Sequence, residues 1–230
     1  MKEIKEHISL VAGSTGLVGS TVVKEIASRG EKVIALTRKE RDSDNDFIKY
    51  LLVDYDQLED SRHQFSEVSN IYICLGTTKE RAGSEAEFRK VDFDYCLEIG
   101  KLALECGAKN LSIISSVGSD PDFSNSIMTK HQNLYLKTKG QLEVEIGKLN
   151  YESISIYKPG LLVGDRKKIG AGKQELLLNS IFGILSKITD PFLMGSFSKY
   201  RSVNVETLAK SMVDNISQHN GVQCFHFEDF

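Results

Sequence analysis

Tyr135 and Lys139 lie four residues apart in a stretch with helical patterning, so they share one face of that helix. A phenol, with a pKa of about 10, exchanges protons poorly at neutral pH, and a nearby ammonium favours its phenolate form. A tyrosine beside a lysine can therefore give a proton to a carbonyl oxygen, or take one from an alcohol. A second group precedes them. Asn110–Ser115 reads as a strand, and Ser116 follows at its end. A hydroxyl there can hydrogen-bond a reacting oxygen and fix its position. The spacing makes Tyr135 the general acid or base, Lys139 its electrostatic partner and Ser116 the orienting hydroxyl. His131, one turn before Tyr135, reads as a solvent-facing loop histidine.

Proton transfer at a carbonyl needs a partner reaction at the carbon, and the amino-terminal part of the chain supplies a candidate. The apolar run His7–Ala12 leads into Gly13-Ser14-Thr15-Gly16-Leu17-Val18-Gly19. After it come Val22, Val23, Ile26 and Ala27 at helical spacing, with Gly30 as a stop. A glycine loop between a strand and a helix can cradle a pyrophosphate. Gly13 allows the turn, Gly16 lets a phosphate approach, and Gly19 lets the helix pack closely. The first turn of the helix offers unpaired N–H groups to the anion. A dinucleotide held there would bring a nicotinamide to the sheet edge where Tyr135, Lys139 and Ser116 converge, with Lys139 also holding the ribose hydroxyls.

Three further segments bear on that ligand. The second strand, Lys32–Thr37, ends in Thr37-Arg38-Lys39, where an NAD-preferring site usually carries a carboxylate. A guanidinium there suits a 2′-phosphate, which favours NADP(H). Asp54, beyond the third strand, can accept from an adenine amino group or cap the next short helix. The fourth strand, Ile71–Leu75, runs into Gly76-Thr77-Thr78. Along Leu75–Thr78 the glycine admits a cofactor against the backbone, and the threonines can reach phosphate or ribose.

The elements that position these groups alternate. Strand-like and helix-like runs succeed one another, which predicts an α/β fold: a doubly wound parallel sheet with helices on both faces. A long helix is expected over about Ser84–Glu105, an irregular ligand-side segment over Ser116–Gln132, and a helix over about Leu134–Leu149. A sixth strand, Ser153–Tyr157, leads to Lys158-Pro159-Gly160. Beyond it the pattern predicts a helix near Gln174–Lys187, a loop with Pro191 and Gly195, a helix over about Val205–Gln218 and a last strand Val222–Phe227. Residues 1–230 read as one domain, with 160–200 forming much of a small cap on the substrate side.

Composition excludes other classes. With 230 residues, 40% hydrophobic and 27% charged, the chain can bury a sizeable core. A net charge of −3 offers no field for nucleic acid. The four cysteines, Cys74, Cys96, Cys106 and Cys224, have no paired metal spacing. They read as reduced and mostly buried, the first three as small core residues, which predicts a cytoplasmic protein. Met1–Glu6 lacks the apolar core of a signal peptide, and the apolar run Leu176–Leu185 is too short to span a bilayer. The expected partner is a small carbonyl or alcohol, with neither nucleic acid nor membrane, in a monomer or homodimer.

Together these pieces resemble the short-chain dehydrogenase/reductase superfamily. Gly13-x-x-Gly16-x-x-Gly19, Ser115-Ser116-Val117-Gly118 and Tyr135-x-x-x-Lys139 match its cofactor loop, serine strand and Tyr-Lys pair, in order. Cys74-Leu75-Gly76-Thr77-Thr78, Tyr135-x-x-x-Lys139-Gly140 and Lys158-Pro159-Gly160 are most similar to the atypical branch that contains the Tat-interacting protein. The likeness runs from about residue 7 to residue 165. It implies a Rossmann-fold oxidoreductase, with Arg38 on the NADP 2′-phosphate and Pro159 among the cofactor contacts. In compact members the second serine of the pair faces the substrate, which implies Ser116. The same branch holds cofactor-binding proteins with little catalysis, so a non-catalytic NADPH sensor is the alternative reading. The intact Tyr135/Lys139 pair argues against it. An NAD-dependent sugar epimerase or dehydratase is a third reading; Arg38 and the short carboxyl-terminal part weigh against it.

Overall fold

A computed structural model describes residues 8–164 and 201–230. Strand β1 (Ile8–Ala12) is buried on both faces over Ser9–Ala12, as are all of β2 (Val33–Thr37) and β6 (Ser153–Tyr157). Strands with no polar alternation must be covered on both sides, and a parallel sheet with crossover helices does this. With β3 (Ile48–Leu52), β4 (Val68–Ile73), β5 (Asn110–Ile114) and β9 (Gly221–Phe225) they form one seven-stranded sheet in the order β3-β2-β1-β4-β5-β6-β9. Every pairing is parallel. The edges behave differently: β3 is half-covered and β9 exposes all but Phe225. The doubly wound parallel sheet is therefore as expected, with a seventh strand completing one edge. A separate two-residue pair joins β7 (Leu162–Val163) to β8 (Val203–Asn204).

Helices cover both faces. On one, α1 (Leu17–Ser28) presents Val18, Val22, Val23, Ile26 and Ala27, and α6 (Val205–Asp214) presents Leu208, Ala209 and Met212. On the other lie the 3₁₀ turns of Tyr55–Phe65, α4 (Tyr95–Glu105) and α5 (Lys130–Gly147), through Leu58, Phe65, Ile99, Leu102, Leu142 and Ile146. Each large aliphatic side chain so buried contributes roughly 1.5–3 kcal/mol. The chain winds outward from β1 to β3, then returns to place β4 on the other side of β1. The carboxyl ends of β1 and β4 diverge into opposite connections there, which opens a crevice.

Three expected elements differ in detail. The helix expected over Ser84–Glu105 does start at Ser84, whose hydroxyl accepts from Glu87 N at 3.1 Å. It is broken, however: α3 (Glu85–Arg89) passes into a π turn over Lys90–Asp94 before α4 begins, and a four-residue α2 (Lys79–Ala82) precedes it. Helix α5 starts at Lys130, four residues before the expected Leu134, because Thr129 and Gln132 form a reciprocal capping box. Strand β4 ends at Ile73, so Cys74 and Leu75 belong to the loop. The helix expected near Gln174–Lys187, Pro191, Gly195, the run Leu176–Leu185 and most of the 160–200 cap lie outside the described residues. No described helix is long and apolar enough to cross a membrane.

Candidate cofactor and catalytic site

The glycine loop sits at the carboxyl end of β1, and its three glycines do different work. Gly13 has φ +79°, and a Cβ there would lie 2.5 Å from Cys74 O, so the loop backbone runs against the end of β4. At Gly19 a Cβ would lie 2.2 Å from Gly13 O; this residue lets the first turn of α1 fold onto the loop. Gly16 differs. Its backbone is extended (φ −79°, ψ 174°), and a Cβ would meet only Gly13 O, at 3.3 Å. Beyond it is open space. Gly16 also caps α1 without any side-chain bond, and the first turn carries no acidic residue. The first turn of the helix thus presents its N–H groups to an open volume, an arrangement that suits a phosphate.

That volume is a cleft of about 660 Å³ at the carboxyl ends of the strands. Gly13, Thr15, Gly16, Leu17 and Val18 form its floor, and Arg38 stands at one end. Leu75, Gly76, Thr77 and Thr78 form one wall, and Tyr135 and Lys139 stand at the far end. Most of the residues singled out in the sequence therefore meet in one place. Gly140 explains how α5 brings Tyr135 and Lys139 there. A Cβ at Gly140 would lie 2.2 Å from Asp120 C, so the segment after β5 crosses directly over the helix. Asp120 N also donates to Leu136 O at 3.3 Å.

Five expected contacts are not on the cleft wall. The Ser14 hydroxyl is buried and donates to Leu36 O at 2.6 Å, which ties the loop to β2. Gly19 is used for packing. Asp54 caps the following 3₁₀ turn, its Oδ1 accepting from Asp56 N at 3.0 Å, so of the two roles open for it the capping one is present. Pro159 is buried and its carbonyl accepts from Val117 N at 3.0 Å. Of the serine pair, Ser115 lines the cleft and Ser116 does not. The Ser115 hydroxyl donates to Glu143, which also accepts from Ser119 and pairs with Lys158 at 2.7 Å. Ser116 instead reaches Val117 O at 3.3 Å. His131 is likewise not a loop residue. It lies in the first turn of α5, its ring edge-on to Phe88 at 5.9 Å. Among the cysteines, Cys96 is buried and Cys224 exposed, while Cys74 lines the cleft; burial pushes the Cys74 thiol up to about 12.

The structure adds residues the motifs did not disclose. Tyr55 and Tyr95 stack at 5.3 Å on the cleft wall, and burial pushes the Tyr55 phenol up to about 12. Asp92, in the π turn, is fully buried. Its Oδ2 accepts from Thr77 N at 2.7 Å and its Oδ1 lies 2.9 Å from Lys139 Nζ. Burial works to push the Lys139 ammonium down; the Asp92 charge, with smaller contributions from Tyr135 and Cys96, outweighs it and holds the group raised.

Comparison with known proteins agrees with this geometry. Residues 9–153 match the model of the NAD dependent epimerase/dehydratase family. The chain belongs to that family. Rat Protein HTATIP2 is 29% identical over 212 residues, covering 90% of this chain and 79% of its own. Protein FMP52, mitochondrial, of Candida albicans is 33% identical over 170 residues, covering 70% and 69%. These place the chain in the atypical short-chain dehydrogenase/reductase branch of the family. A putative NAD-dependent epimerase/dehydratase from Bacillus halodurans has the same fold, with a TM-score of 0.66, 17% identity and coverage of 94% and 91%. So does the Bordetella bronchiseptica enzyme WbmG in complex with NAD, with a TM-score of 0.68, 12% identity and coverage of 98% and 74%. The family fold is an NAD(P)-binding, oxidoreductase-like one.

Proposed function

We propose that this protein is an NADP(H)-dependent oxidoreductase acting on a small carbonyl or alcohol. One observation carries the reading: Tyr135 and Lys139 line the same cleft as the glycine loop and Arg38. The residues fit a dinucleotide, because the floor at Gly16 is open where a phosphate would lie. Gly13, Gly16 and the first turn of α1 would hold the pyrophosphate, Arg38 a 2′-phosphate, and Lys139 the hydroxyls of the nicotinamide ribose. When bound, the nicotinamide supplies or accepts hydride. Tyr135 then gives its phenolic proton to the carbonyl oxygen, or takes one from the alcohol, in step with that transfer. Ser115 lines the same end of the cleft with its hydroxyl proton given to Glu143, so its oxygen offers only an acceptor there. Arg38, in place of a carboxylate after β2, favours NADP(H) over NAD(H) and weighs against an NAD-dependent epimerase.

The test is Tyr135→Phe, which keeps the ring against Phe88 (6.3 Å between centroids) and deletes the proton. With a panel of aldehydes and ketones and NADPH oxidation followed optically, turnover should fall roughly 10²- to 10⁴-fold while NADPH affinity changes little. Carbonyl reduction undiminished in Tyr135→Phe would refute the mechanism. Tight NADPH binding with no turnover of any carbonyl would favour a non-catalytic cofactor sensor.

A further inference from the structure

We propose that Asp92 is the positioning residue of this site: one carboxylate fastens the β4 loop at Thr77 to the α5 lysine and keeps Lys139 charged and directed into the cleft. The proposal deepens the cofactor reading above and names a residue outside the glycine, serine and Tyr-Lys motifs.

The argument begins with the cost of the lysine. The Lys139 side chain is 4% exposed and that of Asp92 1%. An ammonium so deeply buried sheds its proton unless an anion compensates it. Four titratable groups face Nζ from the elements around it. They are Tyr135 on α5 itself, Cys96 on α4, Cys74 at the end of β4 and Asp92 in the π turn. Burial pushes both thiols up to about 12, so they remain protonated. Among the described residues, Asp92 is the only carboxylate within ion-pair distance of Lys139.

The geometry then gives Asp92 two partners. Oδ1 takes the ammonium at 2.9 Å and Oδ2 takes Thr77 N–H at 2.7 Å. Thr77 is part of the wall that faces the glycine loop, and Lys139 is part of the far end. The two sides are thereby held at a fixed separation by a single side chain. The π turn matters here. A one-residue expansion of a helix redirects the side chains that follow, and Asp92 lies inside Lys90–Asp94. Gly76 lies beside the pair, a Cβ there being in ordinary contact with Asp92 Oδ1 at 3.5 Å. With its charge met by Asp92, Nζ keeps N–H directions for ribose hydroxyls, which carry no charge and need a donor that does not repel or overbind. A compensated ammonium is such a donor.

The test is Asp92→Asn, which keeps an oxygen for Thr77 and removes the charge, measured in two ways against the unaltered protein. The first is thermal unfolding without ligand. In the unaltered protein the folded lysine titrates above its unfolded value of about 10.4, so this group's stabilisation is constant from about pH 6 to about pH 9. In Asp92→Asn burial alone acts, the folded value drops below the unfolded one, and the unfolded state binds more protons. The melting temperature of the variant, relative to the unaltered protein, should therefore rise with pH. The second is NADPH affinity. It should fall about tenfold over the same range in Asp92→Asn only, as the charge-assisted bonds of the lysine weaken. A loosened fold would not send stability up and affinity down together. If the single variant does not fold, Asp92→Asn/Lys139→Met should fold, because it leaves no unpaired charge. A double variant no better than the single one would overturn the proposal, as would pH profiles of Asp92→Asn parallel to those of the unaltered protein. If the unaltered protein binds no NADPH at all, the cofactor reading fails, while the unfolding measurement still decides the role of Asp92.

Discussion

At one end of the cleft Arg38 stands exposed beyond β2, with no ion pair among the described residues; at the other, Lys139 is buried and held 2.9 Å from Asp92. Water solvates the first cation, so leaving it unpaired costs little. The second has no water, so its charge must be compensated within the fold. The two therefore suit different ligand groups. An exposed, unpaired guanidinium is available to an anion that brings its own charge, such as a 2′-phosphate. A compensated ammonium is a directed donor for neutral oxygens. Between them, Gly13 and Gly16 of the floor carry no side chain, and the first turn of α1 starts beside them without a side-chain cap. Three parts of one dinucleotide would thus meet three kinds of donor.

The largest effect should come from removing what both ends share. Gly16 has an extended backbone that any residue adopts, so Gly16→Val should fold with a melting temperature within a few degrees of the unaltered protein. Its branched side chain fills the floor and separates the phosphates from the first turn of α1. NADPH and NADH binding should both weaken by about 100-fold or more, equivalent to roughly 3 kcal/mol. Calorimetric titration of the folded variant reads this directly. Undiminished binding of either nucleotide would remove the floor from the comparison, and the dinucleotide site with it.

The two ends also differ in how far they can be read from sequence. Arg38 is legible because it follows a strand whose order and end are set by an apolar run, and its place relative to the glycine loop is local. The strands themselves are legible for the same reason: β1, β2 and β6 are apolar on both faces because both faces are covered. Asp92 is not legible. It pairs with a residue 47 positions later, and the π turn that aims it has no composition signature. Ser115 and Ser116 are adjacent, and only the direction of the chain leaving β5 decides which one faces the cleft. The start of α5 is legible in Thr129-x-x-Gln132, a capping box in plain sequence, whereas the apolar pattern begins only at Leu134. The 3₁₀ turn after β3 likewise explains Asp54, whose two possible roles have the same residue type and the same location.

A smaller effect isolates the exposed end. Arg38→Ala should weaken NADPH by about 1.5–3 kcal/mol, roughly 10- to 100-fold, and leave NADH unchanged. Because Arg38 is exposed, the NADPH preference of the unaltered protein should also shrink as salt is raised, while NADH binding, which does not engage Arg38, should respond less. Titration of both nucleotides at low and high ionic strength measures it. Equal affinities for NADPH and NADH in the unaltered protein would break the comparison at this end and leave the cofactor preference without a residue to carry it.

The smallest effect separates a carboxylate near the exposed end from the ligand altogether. Asp54 lies two residues beyond β3, in the region where an adenine would rest, yet its Oδ1 accepts from Asp56 N and starts the 3₁₀ turn. A side chain used as a cap contributes to folding, so Asp54→Ala should lower stability by about 1 kcal/mol. Asp54→Asn, which retains the acceptor oxygen, should restore most of that loss. Neither substitution should change NADPH affinity beyond about twofold, because Asp54 does not line the cleft. Thermal unfolding and nucleotide titration on the same two variants distinguish the roles. An Asp54→Ala variant of undiminished stability that binds NADPH markedly more weakly would return the residue to the adenine end of the site. It would also mean that the exposed end recognises its ligand with an anion as well as a cation.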